Sequence, residues 1–206
     1  MTYLLVAFLV VLVAPLLIAT WRTSLVGLGL QGVLMTAMAL ERGWAPTAAG
    51  VALLADLLLL RGYVVPRYLY GIMVRQQTPR RTDVIPANLL SWTLAGVLVL
   101  ISFRFAGAIE PAGGVATTHV AVACAALLLA FQILGTGDSL YGQVVGVLRL
   151  ENAIALFELA GGHGFPLALQ LGVTAILVIT LLLFGRFLER LGTRHRPSDR
   201  PEESTP

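Results

Sequence analysis

The sequence predicts an all-α fold: a polytopic integral membrane protein with about seven transmembrane helices, N-terminus outside and C-terminus cytoplasmic. Three observations carry this. Hydrophobic residues make up 57% of the 206 and charged residues only 12%, with a mean hydropathy of +0.85; soluble domains carry about 25% charge. Seven apolar segments approach the roughly 20 residues that cross a bilayer. Arginine-rich stretches then recur on one side of the alternation, which sets the orientation.

The first segment, Tyr3–Thr20, begins directly after Met1-Thr2. It lacks the basic region and small-residue cleavage site of a signal peptide, so it stays as a helix, and Pro15 kinks it. Ser24–Leu40 follows, lined by Gly27, Gly29 and Gly32, small residues that let helices pack closely. Then come Pro46–Val65, Asn88–Ile109, Val115–Leu134, Leu140–Ala160 and Pro166–Leu188. Trp21, Trp44, Trp92, Tyr68 and Tyr141 lie near segment ends, where an aromatic belt places them. Arg67, Arg75, Arg80 and Arg81 follow the third segment as a loop, and Arg186, Arg190, Arg194 and Arg196 follow the seventh. An even number of crossings separates the clusters, so both fall on one side with Arg22, and the positive-inside rule makes that side cytoplasmic. The opposite loops carry Glu41-Arg42, Glu110 and His163 without a positive excess. Residues 1–191 thus form the transmembrane domain. Residues 192–206, rich in Arg, Pro, Ser, Asp, Glu and Thr, form a disordered cytoplasmic tail.

Composition also removes function classes. The pI near 9.5 comes from arginines that cluster in loops and tail and does not signal nucleic-acid binding. The single Cys124 cannot build a disulfide, zinc site or iron–sulfur cluster and reads as a small core residue. His119, His163 and His195 are too scattered for a metal site, and His119 reads as an interfacial residue. No catalytic residue, metal or cofactor is assigned, so any redox chemistry belongs to other subunits.

The most informative feature is Arg149-Leu150-Glu151-Asn152, at the middle of the sixth segment. Two charges near a helix centre cost about 2.5–3.5 kcal/mol each on an insertion scale, while each large aliphatic or Phe side chain returns roughly 0.3–0.6. Leu140–Ala160 holds ten such residues, so its balance is near zero or unfavourable. Such a helix needs protein or water neighbours, and intramembrane charges mark ion or proton routes; the alternative is charges paired with neighbouring helices for assembly only. Glu158 lies seven residues after Glu151, on nearly the same face and about 10 Å along the axis. Two buried carboxyls so placed suit a proton path, since a buried carboxyl can take up a proton near neutral pH. Arg149 falls on roughly the opposite face from Glu151, and Asn152 can hydrogen-bond across helices.

Asp56 and Arg61 occupy the third segment, five residues apart, and as α-helical positions do not face each other. Asp56 reads as a buried polar residue. Arg61 reads either as an anchor that snorkels toward the cytoplasmic end or as a charge on the ion route. Gln31 reads as interhelical glue and Arg104 as reaching the interface. Gly142-x-x-x-Gly146 marks a helix contact face. At an offset of 120, Gln31 falls on Glu151 and Pro46 on Pro166, which overlays segment two on six and three on seven. This is either a parallel repeat, as transport folds use, or chance similarity in apolar sequence.

The stretch Tyr141-Gly-Gln-Val-Val-Gly-Val-Leu-Arg-Leu-Glu-Asn-Ala-Ile-Ala-Leu, with Leu169-Gln-Leu-Gly-Val-Thr-Ala-Ile-Leu-Val-Ile-Thr, resembles the closing helices of hydrogenase-4 component E. That family is related to the small K-type subunit of respiratory complex I and to the small C-type subunit of multisubunit cation/proton antiporters. Length, helix count and the Glu151-Asn152 pair are similar, as are Arg61 ahead of Val65-Pro66 and Gln31 in an early helix. Thr174 stands where relatives can carry an acidic residue, and Arg61 where Lys is frequent. Because Arg does not deprotonate in proteins, Arg61 is expected to act as a fixed charge.

The resemblance implies a non-catalytic subunit of a hydrogenase-4-like oxidoreductase complex in the inner (plasma) membrane. It would help couple redox chemistry on a peripheral arm to proton or sodium movement, through Glu151, Glu158, Arg149, Asn152, Asp56, Arg61 and Gln31. Its partners would be other membrane subunits and the lipid bilayer. An antiporter subunit and a purely structural membrane anchor remain the alternatives.

Overall fold

The computed structural model describes residues 1–17, 20–43, 46–76, 89–109, 114–136, 139–160 and 167–194. Among these the protein is all-helical, and six helices are long and apolar enough to cross a membrane: Trp21–Glu41, Ala48–Arg75, Leu89–Ile109, Val115–Thr136, Leu140–Ala160 and Leu167–Leu188. It is a membrane protein. The first helix, α1 (Thr2–Leu17), is apolar but shorter and contains Pro15.

Local chemistry sets the helix starts. The Thr20 hydroxyl accepts from Thr23 N at 3.3 Å and opens α2 (Trp21–Glu41). Thr47 caps α3 (Ala48–Leu54) through Gly50 N at 3.2 Å, and Ser139 caps α7 (Leu140–Ala160) through Gly142 N at 3.1 Å. Each occupies a free N–H that a helix start would otherwise leave without an acceptor. The start of α1 and the end of α2 meet: the Met1 ammonium and the Tyr3 hydroxyl both donate to Glu41, at 2.7 and 2.9 Å.

The third segment departs from the sequence expectation. It does not end at Val65, and Arg67 and Arg75 are not in a loop. After α3 the chain passes into a π-helical stretch, Ala55–Val64, and resumes as α4 (Val65–Gln76). The π ladder runs to the Val65 N–H, which donates to Leu60 O, five residues back. Pro66 follows directly: it has no N–H for Gly62 O four residues back, and it comes where the ladder has already left i→i+4 spacing. Pro66, just past the expected end of the segment at Val65, is thus carried inside one long helix. Arg80 and Arg81 lie outside the described residues.

Two antiparallel neighbours follow, α5 (Leu89–Ile109) and α6 (Val115–Thr136), then α7 and α8 (Leu167–Arg194). Helix α8 continues past residue 191, the expected end of the transmembrane domain; residues 195–206, and with them the expected disorder, lie outside the described residues. So do Trp44, Glu110 and His163.

Two apolar clusters fill the interior. One, toward the Met1 end, holds Leu5, Phe8, Met35, Met38, Leu57, Leu129 and Leu156. The other, toward the Trp21 end, holds Leu25, Leu28, Leu69, Ile72, Val144, Leu148 and Leu181. Trp21 and Tyr141 belong to the second: both are buried, with ring centroids 4.7 Å apart, edge to face, rather than facing headgroups. Tyr141 also donates to Leu69 O, a bond the interior supplies and lipid does not. Between the clusters, at matching levels of α2, the π segment and α7, lie Gln31, Arg61, Arg149 and Asn152, with Asp56 one π turn from Arg61. By contrast α5 and α8 turn broad apolar surfaces outward, including Leu100, Ile101, Phe105, Ile176, Ile179 and Leu183.

Lipid tails are as apolar as leucine, so close packing and polar contacts, rather than water exclusion, hold such helices together. Glycines permit that closeness here. A Cβ on Gly32 would lie 2.5 Å from Gly62 N, and one on Gly29 would lie 2.9 Å from Gly62 O. Helix α2 and the π segment therefore touch backbone to backbone. Gly146 does the same for α7 against Leu134 of α6, where a Cβ would approach the Leu134 Cα to 3.0 Å.

Candidate functional site

The polar layer is built from three helices. Arg61 is 1% exposed, and its Nε donates to Asp56 Oδ2 at 2.9 Å. Its Nη1 donates to Asn152 Oδ1 on α7 at 3.0 Å, and Asn152 Nδ2 donates to Gln31 Oε1 on α2 at 3.1 Å. The chain Asp56–Arg61–Asn152–Gln31 thus crosses the bundle through side chains alone.

Two expectations are corrected here. Asp56 and Arg61 do face each other, and the reason is the π register. Residues five apart in an α-helix are rotated by about 140°, whereas i→i+5 bonding closes one turn on that spacing. Nor does Arg61 snorkel. Its guanidinium is held inward by a carboxylate at Nε and an amide at Nη1, a fixed two-point geometry that arginine suits better than lysine.

Arg149 occupies a neighbouring position. It is 1% exposed and reaches α1 and α2, donating from Nη1 to Leu12 O at 3.3 Å and from Nη2 to Ser24 O at 3.2 Å. Pro15 lies in the next turn of α1; having no N–H, it leaves Val11 O, beside Leu12, without its ladder donor. Gly27 makes room for the guanidinium: a Cβ there would lie 3.3 Å from Arg149 Nη2.

Glu151 points another way. Its carboxyl lies on the side of Thr180 of α8, with Arg61 and Asp56 as its electrostatic neighbours. Glu158 is half-buried on the same side and feels the same two charges from farther along α7. Thus Asp56, Arg61, Asn152 and Gln31 are bonded into one chain, Glu151 and Glu158 flank it, and Arg149 stands apart against backbone carbonyls. Among the described residues, Asp56 Oδ1, Gln31 Nε2 and Glu151 Oε2 are buried without a hydrogen-bond partner. Buried polar atoms of this kind are where internal waters bind.

Sequence reasoning missed three participants. His119 is fully buried rather than interfacial, because α6 is packed between α1 and α7; its Nδ1 lies 3.0 Å from Arg42 Nη2. Thr180 was hidden among apolar neighbours. The π segment had one signal, an Asp and an Arg five apart ahead of Gly62 and Pro66. Cys124 is half-buried, Arg104 is exposed, and no cluster of three His, Cys, Asp or Glu side chains suited to a metal occurs among the described residues.

No family model matches the sequence. The chain is 29% identical over 194 residues to the uncharacterized protein Rv0085 of Mycobacterium tuberculosis (strain ATCC 25618 / H37Rv), an alignment covering 87% of this chain and 85% of the relative. No solved structure matches.

Proposed function

We propose that this chain is a non-catalytic membrane subunit of a hydrogenase-4-like, complex-I-related assembly that contributes to proton or sodium translocation coupled to redox chemistry on other subunits. In this reading it lies in the inner (plasma) membrane with seven crossing helices, N-terminus outside and C-terminus cytoplasmic. The observation that carries the reading is the buried chain Asp56–Arg61–Asn152–Gln31 with Glu151 beside it. Charges are costly in hydrocarbon and concentrate on ion and proton routes. A fixed Arg61–Asp56 pair next to Glu151 supplies both a carboxyl that can exchange a proton and a field that responds to its charge. The unpartnered atoms of Asp56, Gln31 and Glu151 offer acceptor and donor sites for water between them. The resemblance of Glu151-Asn152 and its surroundings to hydrogenase-4 component E points the same way.

A second reading, a structural anchor, draws on the fact that Arg61 and Asn152 already have partners within the chain, as a scaffold would require. Substitution of Glu151 by Gln separates the two, because Gln keeps shape and hydrogen bonding but carries no exchangeable charge. In the reconstituted complex the variant should assemble and keep redox activity with a soluble acceptor while losing ion translocation. Wild-type translocation would leave Glu151 a structural residue. Translocation without any redox partner would place the chain in an antiporter instead.

A further inference from the structure

The face of α4 that points away from the bundle carries a basic groove unrelated to the polar layer. Helix α4 is pinned from behind: Leu69 and Ile72 are fully buried, and Tyr141 donates to Leu69 O at 3.2 Å. On the other side, Arg67, Tyr68, Tyr70, Gly71, Val74 and Arg75 line a groove of about 420 Å³. Gly71 is its floor. Arg75 Nε donates to Gly71 O at 3.2 Å, which lays the guanidinium over that floor, and Arg75 Nη2 would be the nearest neighbour of a Cβ at Gly71, at 3.9 Å. Arg67, Gly71 and Arg75 follow at i, i+4 and i+8, so the two arginines bracket one stripe of the helix over about 12 Å.

The depth of this groove decides what it meets. The apolar helix Ala48–Arg75 is 28 residues long, ten of them π-wound; the other 18 alone rise about 27 Å, so the whole exceeds a hydrocarbon core of about 30 Å. With Ala48 set at the opposite edge of the hydrocarbon, its last turns extend to the level of phosphates and glycerol at the Trp21 end. Tyr68 packs onto Gly185 of α8, which brings exposed Arg186 to the same end, and exposed Arg22 opens α2 there. Guanidinium groups bind phosphate oxygens in paired, charge-assisted hydrogen bonds, and basic pockets at helix ends hold anionic headgroups.

We propose that the Arg67–Gly71–Arg75 groove binds the phosphate of an anionic phospholipid, with Val74 and the tyrosine rings against the glycerol end of the chains. A lipid is favoured over a soluble anion because the groove opens at headgroup depth and has an apolar wall. The inference is independent of the ion-translocation reading.

The test uses the intact chain extracted with its partners into nanodiscs, probed with labelled phosphatidylglycerol and phosphatidylcholine. Wild type should prefer phosphatidylglycerol by about 10–30-fold, and R67Q/R75Q should abolish that preference. G71L, which fills the floor without changing charge, should weaken it several-fold. R104Q, an exposed arginine elsewhere, should leave it unchanged. Equal retention of both lipids by wild type would overturn the proposal. So would a preference that survives G71L, which would make it diffuse surface charge, or displacement by inorganic phosphate, which would make the groove a soluble-anion site. Loss of partner subunits from R67Q/R75Q with the lipid preference intact would mark a protein interface and overturn it equally.

Discussion

The long helix from Ala48 to Gln76 and helix α8 are overlaid by the same 120-residue offset, yet they solve opposite problems. At that offset Asp56 falls on Ile176 and Arg61 on Leu181. Where the apolar residues stand, α8 runs as unbroken α-helix through Arg194, with Ile176 exposed on the outer surface. Where the charged pair stands, the ladder is π for Ala55–Val64, both side chains are buried, and the backbone lies against α2. The difference teaches that the π register and the ion pair depend on each other. Only i→i+5 winding joins residues five apart, and only an internal partner makes charges at this depth tolerable.

The largest way to break this contrast is Arg61→Leu. It leaves the Asp56 carboxylate buried without its cation, and breaking a buried pair costs about 3–5 kcal/mol. The subunit should be lost from its assembly or melt far earlier. Adding Asp56→Ile gives the pair that α8 carries, and replacing both members of a buried pair by apolar residues is often neutral or stabilising. Thermal unfolding of the assembled double variant should therefore recover most of the loss, falling short of wild type by the about 1–3 kcal/mol that Asn152 Oδ1 costs once its Arg61 donor is gone.

A smaller effect sharpens the comparison through glycine. Gly32→Ala on α2 forces a methyl into Gly62 and Leu57 O of the π segment, and overpacking of this kind costs about 1–3 kcal/mol. Gly172→Ala on α8 meets nothing within 4 Å and should stabilise by up to about 1 kcal/mol, through helix propensity. Unfolding midpoints of the two variants should thus move in opposite directions. Equal shifts would mean that the backbone contact between α2 and the π segment carries no special constraint.

Much of this arrangement can be read from the residues. Apolar segment length gives the membrane class and most helix positions. The polar residues Gln31, Asp56, Arg61, Arg149 and Asn152 stand out because each interrupts an apolar run. The opposite faces of Arg149 and Glu151 on α7 follow from helical periodicity alone, and the structure sends Arg149 toward α1 and α2 and Glu151 toward α8. What periodicity conceals is any change of period: a 3.6-residue turn puts Asp56 and Arg61 apart. Burial of His119 and Trp21 was hidden for another reason. Both lie near helix ends, where aromatic and polar residues suit the interface, and only the packing of the other helices shows that these ends are covered. Thr180 carries no sequence signal because a lone hydroxyl in an apolar helix can bond its own backbone.

The double variant D56I/R61L in the reconstituted complex tests most directly whether the polar layer moves ions or only holds helices. The measurement is ion translocation alongside redox turnover with a soluble acceptor. An ion route predicts an assembled, stable complex with redox turnover intact and translocation lost, because stability is largely restored but the fixed charges beside Glu151 are gone. Wild-type translocation from that complex would contradict the account, since the buried pair would then have served only the fold.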